Sequence, residues 1–465
     1  MPTPRIRNAL VLGGGFAGTL AAYVLSQVAD TVTVVDRDRF ADEPTDRKGT
    51  PHARHTHALV SGGARALADL MPGLIDSLLA KGAQRIGLPD RYLALTPYGW
   101  FHRRPGTQYI IGSSRRLLEW TIRSRLPDGD QLRFVEATDV LGLTGSSAAV
   151  TGARCRDRAT GEVIELSADF VVDTTGRSSQ AVDWLTELGL PPVHQVTVDP
   201  GIFYTTRIFR APDEATQDFP AVNIQANPAL TTRSRRSGVL IPIEDGQWTV
   251  TLSGAPGSQP TLDEEGQRAF AASLPDPTIA KLIAAAEPLG PAFGFRAHAN
   301  RRRYFERLPQ WPRGLVVMGD AYATFNPVYG HGLTVAARAA IALRDGLAQH
   351  GADGTQQIQQ SIAAAADDAW TMATTQDLRF PQTDCPRPGR AARLQYAFQD
   401  WLGRKAMNNP TIAEAQIDVF TLSAPATNLL RPSILLKALR TPHKDGLNTP
   451  PFSDEELRVL DPTPS

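Results

Sequence analysis

The run Gly13-Gly14-Gly15-Phe16-Ala17-Gly18 follows an apolar strand, Ala9 to Gly13, and opens an Ala- and Leu-rich helix extending to Val28. A G-x-G-x-x-G pattern carries information only in that setting, directly after a strand and at the start of a helix. Gly13 permits the tight turn, Gly15 lets the backbone approach a pyrophosphate, and Gly18 allows the helix to pack closely on the sheet. The start of the helix adds unpaired N–H groups and the positive end of its dipole. Thr31 to Val35 returns as a second strand and ends in Asp36 and Arg37, which places a carboxylate 23 residues beyond Gly13 to accept from ribose hydroxyls. A strand, helix, strand order of this kind makes a βαβ unit with a parallel sheet.

The fingerprint alone leaves the dinucleotide open between NAD and FAD. A second element narrows it. Leu315 to Met318 reads as a buried strand ending in Gly319-Asp320-Ala321, and Pro327, Gly330, His331, Gly332 and Leu333 follow at the head of another helix. This resembles the G-D-A…P…G-x-G element of group A flavin monooxygenases. The resemblance implies that Asp320 binds ribityl hydroxyls of FAD and that the helix start faces the flavin pyrimidine ring, where reduced flavin carries negative charge. Arg47 and Lys48 resemble the family's basic segment beside the flavin, and Arg115, after Ser114, an arginine near the ribityl and phosphate groups. Asp173 to Gly176 matches a strand end that closes over the dinucleotide, and Val140 falls where a backbone contact to adenine is expected.

Between these elements the pattern changes. From Gly201 to Gly254 apolar and polar residues alternate, as in Trp248-Thr249-Val250-Thr251-Leu252, the signature of an antiparallel sheet half-buried on one face. Ser61 to Leu79 reads as one helix and Ser113 to Leu126 as another, opened by serines suited to N-capping. Beyond His350 the chain reads as mostly helical. The expected fold is therefore α/β: a Rossmann-type FAD-binding domain, an inserted mainly antiparallel β-sheet substrate domain and a C-terminal helical region. The boundaries are 1–90, 113–190 and 301–350 for the FAD-binding parts, 91–112 and 191–300 for the substrate parts, and 351–465 for the helices.

Charge and composition exclude some functions. The 48 basic residues balance 48 acidic ones, which argues against a nucleic-acid or acidic-membrane binder. No apolar run approaches the roughly 20 residues that span a bilayer, and the first strand begins too early to leave room for a cleavable signal peptide. Cys155 and Cys385 sit in no disulfide or metal-ligand spacing. A cytoplasmic protein is expected.

The stretches DRKGTPHARHTHAL, TTGRSS, FPAVNI, PIEDGQWTVTLSG and GDAYATFNPVYGHG, in that order, together resemble the bacterial polyether polyene epoxidases of the lasalocid and monensin type, distant relatives of squalene epoxidase. One departure is His52, where relatives carry Gln. The resemblance implies oxygen transfer from a flavin C4a-hydroperoxide to alkenes of a hydrophobic polyene polyketide or terpenoid, with NAD(P)H as reductant. No second G-x-G-x-x-G unit is present for a nicotinamide domain, so reduction is expected from transient NAD(P)H docking or from a separate flavin reductase. The oxidant belongs to the cofactor, so no catalytic acid/base pair is required and the protein's tasks are to hold the alkene and exclude water. Candidate pocket residues are Phe203, Tyr204, Phe209 and Phe295 from the inserted sheet, with Phe325 and Tyr329 from the flavin side.

Other readings use the same residues. An FAD-dependent aromatic hydroxylase shares the oxidant, although an activated ring wants a base or hydrogen-bond partner for its hydroxyl. A flavin halogenase would be expected to show a W-x-W-x-I-P element, which does not occur. A reductase of isoprenoid double bonds and a non-catalytic flavin- or ligand-binding protein complete the set. His52, His55 and His57 form a dense group but lack an adjacent carboxylate or cysteine ligand, so no metal is expected. The arginine-rich runs 233–236 and 301–303 read as solvated surface charge, with a nicotinamide phosphate or an anionic carrier as the functional alternative.

Overall fold

The computed structural model describes residues 6–127, 129–215, 218–226, 235–296, 299–383 and 389–460. Cys385 and Arg233 lie outside them. Five parallel strands form the first sheet, in the order Leu315–Val317, Phe170–Asp173, Ile6–Leu12, Ala29–Val35 and Leu132–Val135. Phe170–Asp173 is buried throughout, and Ile6–Leu12 and Ala29–Val35 turn apolar and buried toward their carboxyl ends, where both sheet faces are covered. The helix Phe16–Ser26 packs on one face together with Gly332–His350, and Thr355–Asp377 lies against that last helix. The sheet places the glycine turn after Leu12, the Asp36 carboxylate, Gly176 and Gly319 at the carboxyl ends of four strands, where open α/β sheets bind ligands.

The second large sheet is mainly antiparallel and contains Phe203–Arg210, Gln247–Gly254, Arg236–Ile243 and Ala221–Ile224. Tyr92–Thr96 joins Ala221–Ile224 in parallel, so a segment far earlier in the chain extends this sheet. Strand alternation decides what each face does. Phe209, Trp248, Val250 and Leu252 point to a core shared with Phe270, Leu274, Ile279 and Leu282. Tyr204, Thr206, Thr249 and Thr251 occupy the opposite face.

Two helix boundaries differ from expectation. The Ser61 to Leu79 pattern is broken into Ser61–Leu70 and Leu74–Ala80, because Gly73 adopts a left-handed φ of 77° after Pro72. The helix after Ser113 begins at Arg115, with Ser114 as its N-cap accepting from the Leu117 N–H. Among the described residues no helix is long and apolar enough to cross a membrane.

Candidate active site

A cleft of about 820 Å³ runs along the carboxyl ends of the parallel strands and continues under the inner face of the second sheet. Its size falls within the roughly 300–1,000 Å³ usual for ligand pockets. Two helices, Phe16–Ser26 and Gly332–His350, start on it, and neither has a side-chain cap or an acidic residue in its first turn. Uncapped N–H groups and the aligned dipoles leave both helix starts able to receive an anion or a polarised carbonyl.

The glycines test whether a dinucleotide fits. Gly13 has a φ of 95°, and a Cβ there would lie 2.6 Å from the Thr174 carbonyl oxygen. A Cβ on Gly18 would stand 1.8 Å from the Gly13 oxygen, so its hydrogen is what lets helix and sheet approach. Gly15 is different: its nearest neighbour would be Arg47 Nη2 at 4.0 Å, and Gly176 and Gly332 meet nothing within 4 Å. These last three glycines line the cleft and keep its backbone bare, as a bound phosphate or planar ring requires. The residues present therefore fit FAD, which the glycine turn, Asp36 and the two helix starts would hold.

Asp36 accepts from the Gly14 N–H at 2.6 Å and from the Asp38 N–H at 2.8 Å. Burial pushes its carboxyl up, opposed by Arg47, whose guanidinium lies 3.6 Å away. Arg47 and Arg115 converge on Glu119, each at 2.7 Å. Burial would raise the Glu119 carboxyl, yet Arg115 and Arg47 outweigh it and hold it at about 2. Glu119 is not among the residues expected at the site; its i,i+4 spacing from Arg115 is the one signal the sequence carries for it.

Phe16, Ala17, Arg37, Val140, Asp320, Pro327, Gly330 and Leu333 also line the cleft. Lys48 does not; it is exposed. Arg177, not among the residues expected at the site, lines the cleft as well. Within the 301–303 run, Arg302 and Arg303 are buried instead of solvated. Arg302 pairs with Asp367 at 2.6 Å, and Arg303 donates to the Ala321 and Ser179 carbonyls, tying the Gly319 turn to the loop after Gly176.

Of the six aromatic residues expected at the pocket, Tyr204, Phe295 and Phe325 line the cleft. Phe203 and Phe209 do not, because odd positions of Phe203–Arg210 face away from Tyr204: Phe209 belongs to the outer core and Phe203 lies under Arg296. Tyr329 is also absent from the lining. Its hydroxyl donates to Asp377 at 2.5 Å, behind the Pro327 to Gly330 loop.

The histidine group lies inside the cleft. His55 meets Tyr204 edge to face at 5.0 Å and Phe295 at 5.3 Å between ring centroids, and His52 reaches Phe295 at 6.5 Å. Burial lowers all three imidazoles, His55 to about 4, so each is neutral near pH 7. His57 Nδ1 lies 2.7 Å from the His55 carbonyl and must donate to it, which leaves Nε2 as an acceptor. His331 likewise donates from Nε2 to the Phe420 carbonyl. Among the described residues no group of three His, Cys, Asp or Glu side chains is arranged to hold a metal ion.

This is the fold of flavin-dependent halogenases and monooxygenases. Superposition on the flavin-dependent brominase Bmp2 gives a TM-score of 0.64 over 93% of this chain and 98% of that one, at 14% identity. A probable FAD-dependent monooxygenase from Pseudomonas aeruginosa, pqsL, gives 0.58 over 80% and 98%, at 17% identity. The chain belongs to the family of Protein Rv3254 from Mycobacterium tuberculosis, to which it is 32% identical over 432 residues, 89% of each chain. No family model matches the sequence.

Proposed function

We propose that the protein is an FAD-dependent monooxygenase that epoxidises alkenes of a hydrophobic polyene polyketide or terpenoid. The observation that carries this reading is the continuity of one cleft. Bare glycine backbone and two uncapped helix starts line one part of it, and Tyr204, Phe295 and Phe325 line another. FAD, when bound and reduced, would supply the oxygen-activating chemistry.

The chain's own residues then perform the remaining tasks. Gly15, Asp36 and Arg115 bind the dinucleotide, and the Gly332–His350 helix start favours negative charge developing beside it. Tyr204, Phe295 and Phe325 orient an apolar chain and exclude water from the reacting face. The neutral imidazoles add no charge to that wall. The order of the five family-like stretches supports a polyether-type substrate; NAD(P)H, directly or through a flavin reductase, is the proposed reductant.

A second reading, hydroxylation of an aromatic ring, has one observation in its favour: His55 offers a neutral ring nitrogen where a phenolic hydroxyl would need a partner. Product analysis separates the two. An epoxide or its derived diol from a polyene supports the first reading; a ring-hydroxylated product, with polyenes unchanged, rejects it.

A further inference from the structure

Behind His55 lies a ladder of threonine hydroxyls. His55 Nδ1 is 2.8 Å from Thr206 Oγ1, Thr206 is 2.5 Å from Thr251, Thr251 is 2.7 Å from Thr56, and Thr56 is 2.9 Å from Thr249. Strand register explains the arrangement: Thr206 and Thr251 are directly paired across the antiparallel ladder, and both face the cleft side. Valine would serve a β-strand as well at the strand positions, so four hydroxyls in contact are not a packing requirement.

A hydroxyl donates one hydrogen bond and accepts others, and a neutral imidazole donates from one nitrogen and accepts at the other. The whole ladder can therefore run in either direction. When Thr206 donates to Nδ1, Nε2 carries the proton; when Thr206 accepts, Nε2 carries the lone pair. Nε2 has no partner among the described residues, and its ring lines the cleft between Tyr204 and Phe295. Nε2 therefore opens on the cleft, where a bound ligand that displaces water from it must offer a matching hydrogen-bonding group or leave it unpaired.

We infer that His55, backed by Thr206, Thr251, Thr56 and Thr249, is a binding site for a hydroxyl group on an otherwise apolar substrate. A hydroxyl matches either direction of the ladder, whereas a carbonyl matches only one. A carboxylate, which only accepts, likewise matches only the direction in which Nε2 carries the proton. The inference rests on reading this cleft as the substrate site, and it narrows the substrate class to hydroxylated alkenes or hydroxylated rings.

Calorimetric titration of the purified protein with matched probes tests it: 1-naphthol against naphthalene, and geraniol against its deoxygenated hydrocarbon. At least one alcohol should bind about tenfold more tightly than its hydrocarbon. In His55→Phe the preference should collapse to within about twofold, while the hydrocarbon affinity stays within about twofold of the parent protein, showing that the pocket itself is intact. Thr206→Val, which keeps the imidazole and shape, should reduce the preference without abolishing it. Failure of every alcohol to bind more tightly than its hydrocarbon, or a preference that survives in His55→Phe, overturns the inference. If the preference is lost in His55→Phe yet no oxygen is ever transferred, the binding site stands and the monooxygenase reading falls.

Discussion

Two glycines three positions apart, Gly15 at the turn and Gly18 in the first turn of the helix, have opposite jobs, and substitution separates them. A Cβ on Gly18 meets main-chain oxygen at 1.8 Å and Thr174 Oγ1 at 2.7 Å, neither of which can retreat. Gly18→Ala should cost at least about 3 kcal/mol in denaturant unfolding, the upper range for an overpacked core. Gly15→Ala meets only the end of Arg47 at 4.0 Å, so its melting temperature should match that of the parent protein. Its flavin affinity should fall more than about tenfold, measured by equilibrium dialysis, because the methyl enters the space a phosphate would take. Glu119 makes a pH-dependent prediction. Its carboxyl is held at about 2 against an ordinary 4.5, so its contribution to stability is present above the ordinary value and is lost as pH falls toward 2. Glu119→Gln should destabilise the protein by about 3 kcal/mol near neutral pH, since it leaves Arg47 and Arg115 buried beside a neutral group. The deficit should shrink in unfolding curves taken on the acid side, and a deficit independent of pH would show that the ion pairs contribute little.

At the scale of elements, the loop from Asn326 to Gly330 is set by the end of a distant helix. Asp377, fully buried at the end of Thr355–Asp377, accepts from Asn300 Nδ2 at 2.5 Å, Asn326 Nδ2 at 3.0 Å and the Tyr329 hydroxyl. Burial raises its carboxyl to about 6 despite these donors. A carboxyl held above its ordinary 3.8 contributes stability below that value and loses it as pH rises through 6. Asp377→Asn should therefore flatten the pH dependence of unfolding free energy between about 4 and 6, and an unchanged slope would locate the titration elsewhere. This cluster also shows where sequence reading stops. The glycine turn, Asp36 and the Gly319-Asp320 strand end were legible because each motif is local and its neighbours in sequence are its neighbours in space. Tyr329 turns away from the expected pocket toward Asp377, a partner 48 residues away that no local motif announces. Phe203 and Phe209 face away from the cleft: composition reveals a strand, while only register reveals which alternate face meets the cleft. The histidine group stands out in the sequence, but the meaning of His55 depends on Thr206, 151 residues away, and on Thr251 beyond it.

Across the whole molecule, the chain leaves the parallel sheet, adds Tyr92–Thr96 to the second sheet, returns, and leaves again to build the rest of it. That path lets one cleft be walled by both sheets, and it underlies the proposed division into FAD-binding, substrate and C-terminal helical parts. The central claim, that this cleft delivers one atom of molecular oxygen to carbon, is tested most directly by isotope. Flavin-loaded protein with reductant and a candidate polyene, incubated under labelled oxygen gas, should give a product carrying one labelled oxygen atom for each alkene oxidised, with chloride and bromide having no effect. A product without label, or one that forms only with halide and carries halogen, would contradict it.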